Sequence, residues 1–124
     1  MPIRVLLSDD EALARERLRS LLDEESDLEI VGECGDGKSA ISMIKREKPD
    51  LVFLDIQMPE IDGFGVVSAL RAEQMPLTIF VTAYDRYAMK AFEIHALDYL
   101  LKPVVKERLT EALGDVYKRQ TQNP

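Results

Sequence analysis

Polar side chains suited to binding a metal ion and a phosphoryl group follow four of the short apolar runs in this sequence. In chain order they are Asp9, Asp10, Glu11, Asp55, Thr82 and Lys102. Carboxylates held close together repel one another, and a hard divalent cation such as Mg²⁺ relieves that repulsion with oxygen ligands. A carboxylate nucleophile, an orienting hydroxyl and an ammonium that neutralises oxygens are together the groups that phosphoryl transfer requires.

Each of these residues taken alone has a simpler structural interpretation. Asp10 could cap the first helix, Thr82 could close a turn, and Lys102 could be a solvated lysine. Their shared position, at the ends of separate apolar runs, favours the functional interpretation over the structural one. The set is therefore predicted to form one site if the runs are strands of one sheet.

Five apolar runs of three to five residues predict the strands of that sheet. They are Ile3–Leu7, Leu28–Gly32, Leu51–Leu54, Leu77–Val81 and Tyr99–Leu101. Several are apolar on consecutive positions, which is typical of parallel strands that are buried on both faces.

Helical patterns follow each run, with apolar residues on one face. The first places Ala14, Leu18, Leu21 and Leu22 on one stripe, and the others cover about Ser39–Glu47, Gly63–Glu73, Tyr87–Ile94 and a segment from Lys106 through Val116. Strict alternation predicts an α/β fold with right-handed crossovers. Five units are too few for a closed barrel, so we expect a doubly wound, open parallel sheet. In such sheets ligands bind beyond the carboxyl ends of the strands, where the polar residues lie.

Composition limits the function classes. The 124 residues are 46% hydrophobic and 31% charged, with a formal net charge of −7. We expect one domain that does not bind the phosphate backbone of a nucleic acid, because such binding requires a basic surface. The single cysteine, Cys34, and the lack of an apolar start or of a run near 20 residues predict a cytoplasmic protein without a membrane segment.

The motifs resemble those of a known family. Asp9-Asp10, the DIQMP of residues 55–59, Thr82-Ala83 and Lys102-Pro103 resemble the receiver domain of bacterial two-component response regulators, over about Ile3 to Leu113. Residues 9–18 and 80–103 resemble the subgroup that precedes a LytTR-type DNA-binding domain. The resemblance implies a flavodoxin-like fold with strand order 2-1-3-4-5 and five helices.

The resemblance also implies the roles of the acidic residues. Asp55 would be the phosphoacceptor, which takes its phosphoryl group from the phosphohistidine of a sensor histidine kinase. Asp10 and Asp55 would bind Mg²⁺ directly. Asp9 would act largely through water, and the backbone carbonyl of Gln57 would complete the protein ligands. The protein would then be a signalling domain and not an enzyme with its own substrate.

A conformational switch is implied as well. Thr82 and Lys102 would contact phosphoryl oxygens, and Tyr99 would turn inward as Thr82 moves toward the phosphate. The output would be a changed surface on the fourth helix, fifth strand and fifth helix, with a homodimer formed on activation. DNA would be contacted only through an output domain that this sequence lacks. Gln57 and Tyr84 would flank the path of the water that hydrolyses the phosphate.

The receiver domain is assigned to residues 1–118, and residues 119–124 to a disordered or non-native tail. Residues 115–120 read like the translation of a sequencing-library adapter, so the origin of the segment after Leu113 stays open.

Three other functions remain possible from the residues. They are a haloacid-dehalogenase-type Mg²⁺ phosphatase, an unphosphorylated pseudo-receiver that serves as an interaction module, and a flavin carrier of the flavodoxin type. The phosphatase chemistry requires a second aspartate at the position that Gln57 occupies.

Overall fold

The computed structural model describes residues 2–122 and alternates strands with helices along the chain. The strands are β1 (Ile3–Ser8), β2 (Leu28–Cys34), β3 (Leu51–Asp55), β4 (Leu77–Thr82) and β5 (Asp98–Leu101). The helices are α1 (Ala12–Leu22), α2 (Gly37–Glu47), α3 (Gly63–Ala69), α4 (Ala88–Glu93) and α5 (Lys106–Gln122). Short 3-10 helices lie at Ala72–Gln74 and Asp85–Tyr87.

The strands form one five-stranded sheet in the order β2-β1-β3-β4-β5, with every pair parallel. This confirms the predicted fold class and strand order. Strands β3 and β4 each extend one residue beyond the predicted run. Asp55 pairs with Val81 and Thr82 pairs with Leu101, so both polar residues belong to the sheet itself. Their backbones are therefore fixed by the sheet.

Apolar side chains cover both faces of the sheet, as the consecutive apolar positions predicted. In β1, Val5 and Leu7 join the core formed with α1 and α5, whereas Leu6 joins the core formed with α2, α3 and α4. All three side chains are fully buried. Burial of a leucine or valine contributes about 1.5–3 kcal/mol, so the two cores hold the strand ends rigidly in register.

Helix α3 is shorter than the sequence predicted. The pattern predicted a helix over Gly63–Glu73, but the helix ends at Ala69 and Leu70 is extended, with φ −110° and ψ 150°. Two glycines among its first three residues weaken the helix, since glycine costs about 1 kcal/mol relative to alanine. The extended Leu70 packs into the core beside α2, and this burial replaces the last helical turn.

The last helix continues past residue 118, where the sequence analysis ended the domain. Helix α5 runs to Gln122 and therefore includes residues 119–122 of the segment predicted to be disordered or non-native, while residues 123–124 lie outside the described residues. Lys, Arg and Gln at its end are good helix formers, which favours continuation of the helix.

Among residues 2–122, no helix combines the length and the apolar character that crossing a bilayer requires.

Candidate functional site

The carboxyl ends of β1, β3 and β5 bring three carboxylates around one ammonium. Nζ of Lys102 lies 2.5 Å from Oε1 of Glu11, 2.9 Å from Oδ2 of Asp9 and 3.3 Å from Oδ2 of Asp55. Lys102 is remote in sequence from all three, so the contacts exist only because the parallel strands end at the same edge. The predicted convergence of Asp9, Asp55 and Lys102 is thus present in the structure.

Backbone groups fix the two aspartates. The amide of Glu11 donates to Oδ1 of Asp9 at 2.9 Å, and the amide of Gln57 donates to Oδ1 of Asp55 at 3.1 Å. In both cases the carboxylate accepts a hydrogen bond from the amide two residues later. This is the Asx-turn, a local turn that aspartate commonly forms. Gly63 lets the start of α3 approach β3 closely, because a Cβ there would lie 2.7 Å from the carbonyl oxygen of Asp55.

The charged groups of the site are buried, so their charges are poorly hydrated and interact strongly with one another. The side chains of Asp9, Asp55 and Lys102 are only 3%, 4% and 14% exposed. Burial, together with the neighbouring charge of Asp9, raises the pKa of Asp55 to about 7, and Lys102 offsets only part of that rise. Burial works to lower the pKa of Lys102, but hydrogen bonds to Glu11 and Asp9 outweigh it and the pKa is raised. The site thus holds more negative charge than one ammonium neutralises.

The donor set fits a hard cation. One oxygen from each of Asp9, Glu11 and Asp55 lies within 4.8 Å of the others. Oδ2 of Asp9 is buried and accepts no hydrogen bond, although it lies 2.9 Å from the Lys102 ammonium. Oxygen ligands with excess negative charge and a free lone pair are what Mg²⁺ binds in proteins.

Asp10, predicted to bind the metal directly, lies beside this cluster and outside it. Its side chain is exposed, and it lines an open depression together with Gln57 and Tyr87. It is also not the cap of α1, because Glu11 is the N-cap residue and makes no side-chain capping bond. The structural alternative for Asp10 therefore does not account for its position, and its metal role stays a prediction.

The two predicted switch residues lie on the neighbouring strands. Thr82 is fully buried at the end of β4, and its hydroxyl accepts a hydrogen bond from the amide of Tyr84 at 3.4 Å. Tyr99 on β5 is half-buried, and its hydroxyl donates to the carbonyl oxygen of Tyr84. Both residues thus contact the loop that follows β4. The peptide bond between Lys102 and Pro103 is cis.

Sequence reasoning missed two contacts at the mouth of the site. The sequence pattern places Glu11 among the acidic residues without indicating a role, although Glu11 makes the shortest of the three contacts to Lys102. Tyr87 was predicted only as a helix start, yet its hydroxyl accepts hydrogen bonds from Gln57 at 3.1 Å and from Arg86 at 2.9 Å. The third acidic residue after β1 was a signal for Glu11, whereas nothing in the sequence pattern pointed to Tyr87.

The family described as response regulator receiver domain matches residues 5–114 of the chain. This chain belongs to that family. Receiver domains are signalling domains, so membership of this family does not favour the phosphatase or the flavin-carrier alternative.

Solved receiver domains share the fold over nearly the whole chain. The receiver domain of AraT from Geobacillus stearothermophilus is 36% identical with a TM-score of 0.89, and the alignment covers 98% of both chains. The response regulatory domain of mrkE from Klebsiella pneumoniae is 33% identical with a TM-score of 0.86, covering 97% of this chain and 99% of that one.

Curated relatives are longer than this receiver domain. The transcriptional regulatory protein BtsR of Escherichia coli K12 is 53% identical over 112 residues, which is 90% of this chain and 47% of BtsR. An uncharacterised response regulatory protein of Shewanella oneidensis is 48% identical over 119 residues, covering 96% of this chain and 50% of that protein. The chain therefore spans about half the length of the curated relatives it matches.

Proposed function

We propose that this receiver domain accepts a phosphoryl group on Asp55 from a sensor histidine kinase and passes the signal on through a change of surface. The observation that carries the proposal is the Lys102 ammonium between the buried carboxylates of Asp9 and Asp55. Phosphorylation adds charge to a carboxylate that is already crowded by negative groups. A phosphoryl group there needs the ammonium and a metal ion to hold it.

The proposed metal ligands are Asp10, Asp55 and the backbone carbonyl of Gln57, with Asp9 acting largely through water. Mg²⁺ bound there would lower the repulsion among the carboxylates and polarise phosphoryl oxygens. The side chain of Asp10 is exposed and lines an open depression, so it is free to turn toward the ion. It can do so at little cost, since an exposed side chain loses no packing.

In the proposed transfer, an Asp55 oxygen attacks the phosphorus of the donor and forms a P–O bond. The bond from phosphorus to the imidazole nitrogen of the kinase histidine breaks, and the imidazole leaves with its electron pair and takes up a proton. Lys102 neutralises one phosphoryl oxygen, and the hydroxyl of Thr82 donates to another. Gln57, held by Tyr87, stands near the path of the water that would later hydrolyse the product.

Movement of Thr82 toward the phosphoryl group would then be transmitted to Tyr99 through the loop after β4. Tyr99 would lose its hydrogen bond to the carbonyl of Tyr84 and turn inward. The surface that changes would lie on α4, β5 and α5, where Met89 and Phe92 are 78% and 85% exposed. A nearly complete shift of such a two-state equilibrium requires about 5.5 kcal/mol.

The proposed output is a LytTR-type DNA-binding domain, with a homodimer formed on activation. The motifs of residues 9–18 and 80–103 support this subgroup. The relatives named transcriptional regulatory proteins, which are about twice the length of this chain, support a regulatory output beyond the receiver.

Incubation with acetyl phosphate tests the proposed function. With Mg²⁺ present, we expect the intact mass to increase by one phosphoryl group, and we expect no increase when EDTA removes the metal. Hydroxylamine should release the group, since an acyl phosphate is labile to it. Continuous release of phosphate over many turnovers would favour the phosphatase. No labelling at all would favour the pseudo-receiver.

Replacing Asp10 by Ala should weaken Mg²⁺ binding by about tenfold or more, because a direct carboxylate ligand is lost. Titration with Mg²⁺ followed by calorimetry or NMR shifts measures this. Asp23→Ala is the matched control, because Asp23 is an exposed aspartate at the other end of α1 and should leave the affinity unchanged. An equal affinity for Asp10→Ala and the parent would remove Asp10 from the metal site.

A further inference from the structure

We infer that Glu11 is the resting counterion of Lys102, and that a phosphoryl oxygen must displace it before the ammonium can hold the phosphoryl group. The inference rests on the proposed function. Oε1 of Glu11 lies 2.5 Å from Nζ, closer than the carboxylate oxygens of Asp9 at 2.9 Å and Asp55 at 3.3 Å. Glu11 acts through Lys102 and is therefore a positioning residue.

Exposure distinguishes Glu11 from the two aspartates. The side chain of Glu11 is 64% exposed, whereas those of Asp9 and Asp55 are 3% and 4% exposed. The aspartates are enclosed by the sheet and the loops and cannot leave the ammonium without reorganising the site. The carboxylate of Glu11 can swing into solvent, where water hydrates its charge. It is thus the one carboxylate among these three that an incoming anion can replace.

The backbone of Glu11 is held by a hydrogen bond to Asp9, and its carboxylate forms an ion pair with Lys102. Its amide donates to Oδ1 of Asp9 at 2.9 Å, which fixes the residue beside the site. As the N-cap residue of α1 it could accept a hydrogen bond from the first turn of the helix, but its side chain makes no such bond. The carboxylate instead reaches across to the end of β5.

This arrangement makes Glu11 a competitor of the phosphodonor. A phosphoryl donor is an anion, so the charge of Glu11 repels it and also occupies the cation that must receive it. Glu11 forms no bond in the transfer itself. Loss of its charge should therefore lower the donor concentration needed for half-maximal rate, with little change in the maximal rate.

The first test compares Glu11→Gln with Glu16→Gln, an equal loss of charge at an exposed glutamate on the same helix. We expect the acetyl phosphate concentration for half-maximal labelling to fall about fivefold in Glu11→Gln, the factor of an ion pair of about 1 kcal/mol. Glu16→Gln should leave it unchanged. Equal shifts in both variants, or no shift, would overturn the inference. So would a tenfold loss of Mg²⁺ affinity in Glu11→Gln, which would make Glu11 a metal ligand.

The second test needs neither metal nor phosphodonor. A double-mutant cycle of Glu11→Gln and Lys102→Met, followed by urea unfolding, measures the coupling of the two side chains. We expect a coupling of about fivefold in the unfolding equilibrium constant. A parent protein that acetyl phosphate does not label overturns the proposed function and the displacement step with it. A missing coupling in a protein that is labelled overturns the role of Glu11 alone.

Discussion

Replacing Asp55 by Asn should reduce labelling by acetyl phosphate to below detection while the protein stays folded. The amide has the shape of the carboxylate, so the packing at the end of β3 is retained, but it offers no nucleophilic oxygen anion. Intact mass measured in the presence of Mg²⁺, with circular dichroism to verify the fold, gives the result directly.

Asp62→Asn is the matched control for this substitution. Asp62 lies close by in the chain, is exposed, and accepts a hydrogen bond from the amide of Gly65 at 2.8 Å as the cap of α3. Asparagine caps helices about as well as aspartate, so this variant should be stable and fully labelled. Labelling of Asp55→Asn at the rate of the parent would show that another residue is the phosphoacceptor.

The same substitution should stabilise the metal-free protein at neutral pH and above. The pKa of Asp55 is raised to about 7 in the folded protein, so the folded state holds more protons than the unfolded state between about pH 4 and pH 7. The free energy of unfolding of the parent therefore falls as pH rises through this window. Asp55→Asn removes the titrating group and should show a smaller fall, by a few kcal/mol across the window. Urea unfolding at a series of pH values measures it, and identical pH profiles for parent and variant would contradict the raised pKa.

The sheet and the meeting of the polar residues could be predicted from the sequence because both follow from simple patterns. Consecutive apolar runs alternating with helical stripes define a doubly wound sheet, and the carboxyl ends of parallel strands lie along one edge. That rule alone brought Asp9, Asp55 and Lys102 together from three separate parts of the chain. The end of α3 was missed because the apolar stripe continued to Leu70, while the burial of Leu70 in an extended conformation depends on tertiary packing.

Side-chain directions could not be predicted in the same way. Asp9, Asp10 and Glu11 are consecutive acidic residues, and the sequence gives no reason for one of them to be buried, one to face an open depression and one to reach Lys102. Those directions depend on the turn between β1 and α1 and on where β5 ends. The hydrogen bond between Gln57 and Tyr87 joins the loop after β3 to the 3-10 helix Asp85–Tyr87, two segments that are 30 residues apart in the chain.

Replacing Lys102 by Met should cost about 3–5 kcal/mol of stability at pH 8 in the absence of metal, because the buried carboxylates of Asp9 and Asp55 lose the ammonium between them. The effect should depend on pH in a defined direction. Without Lys102 the pKa of Asp55 rises further, since the ammonium lowers it more than the hydrogen bond from the amide of Gln57 does. The free energy of unfolding of Lys102→Met should therefore continue to fall up to a higher pH than that of the parent. The two proteins should differ least in this free energy near pH 4, where Asp55 is protonated in both.

Mg²⁺ provides the decisive comparison for this variant. A divalent cation supplies the positive charge that the methionine lacks, so Mg²⁺ should stabilise Lys102→Met more than it stabilises the parent. Lys45→Met is the control, because Lys45 is exposed on α2 and its replacement should change stability by less than about 0.5 kcal/mol at every pH. If Lys102→Met were as stable as Lys45→Met at pH 8 without metal, the carboxylates would not need the ammonium. The electrostatic basis of the site, on which both phosphoryl capture and metal binding depend, would then be wrong.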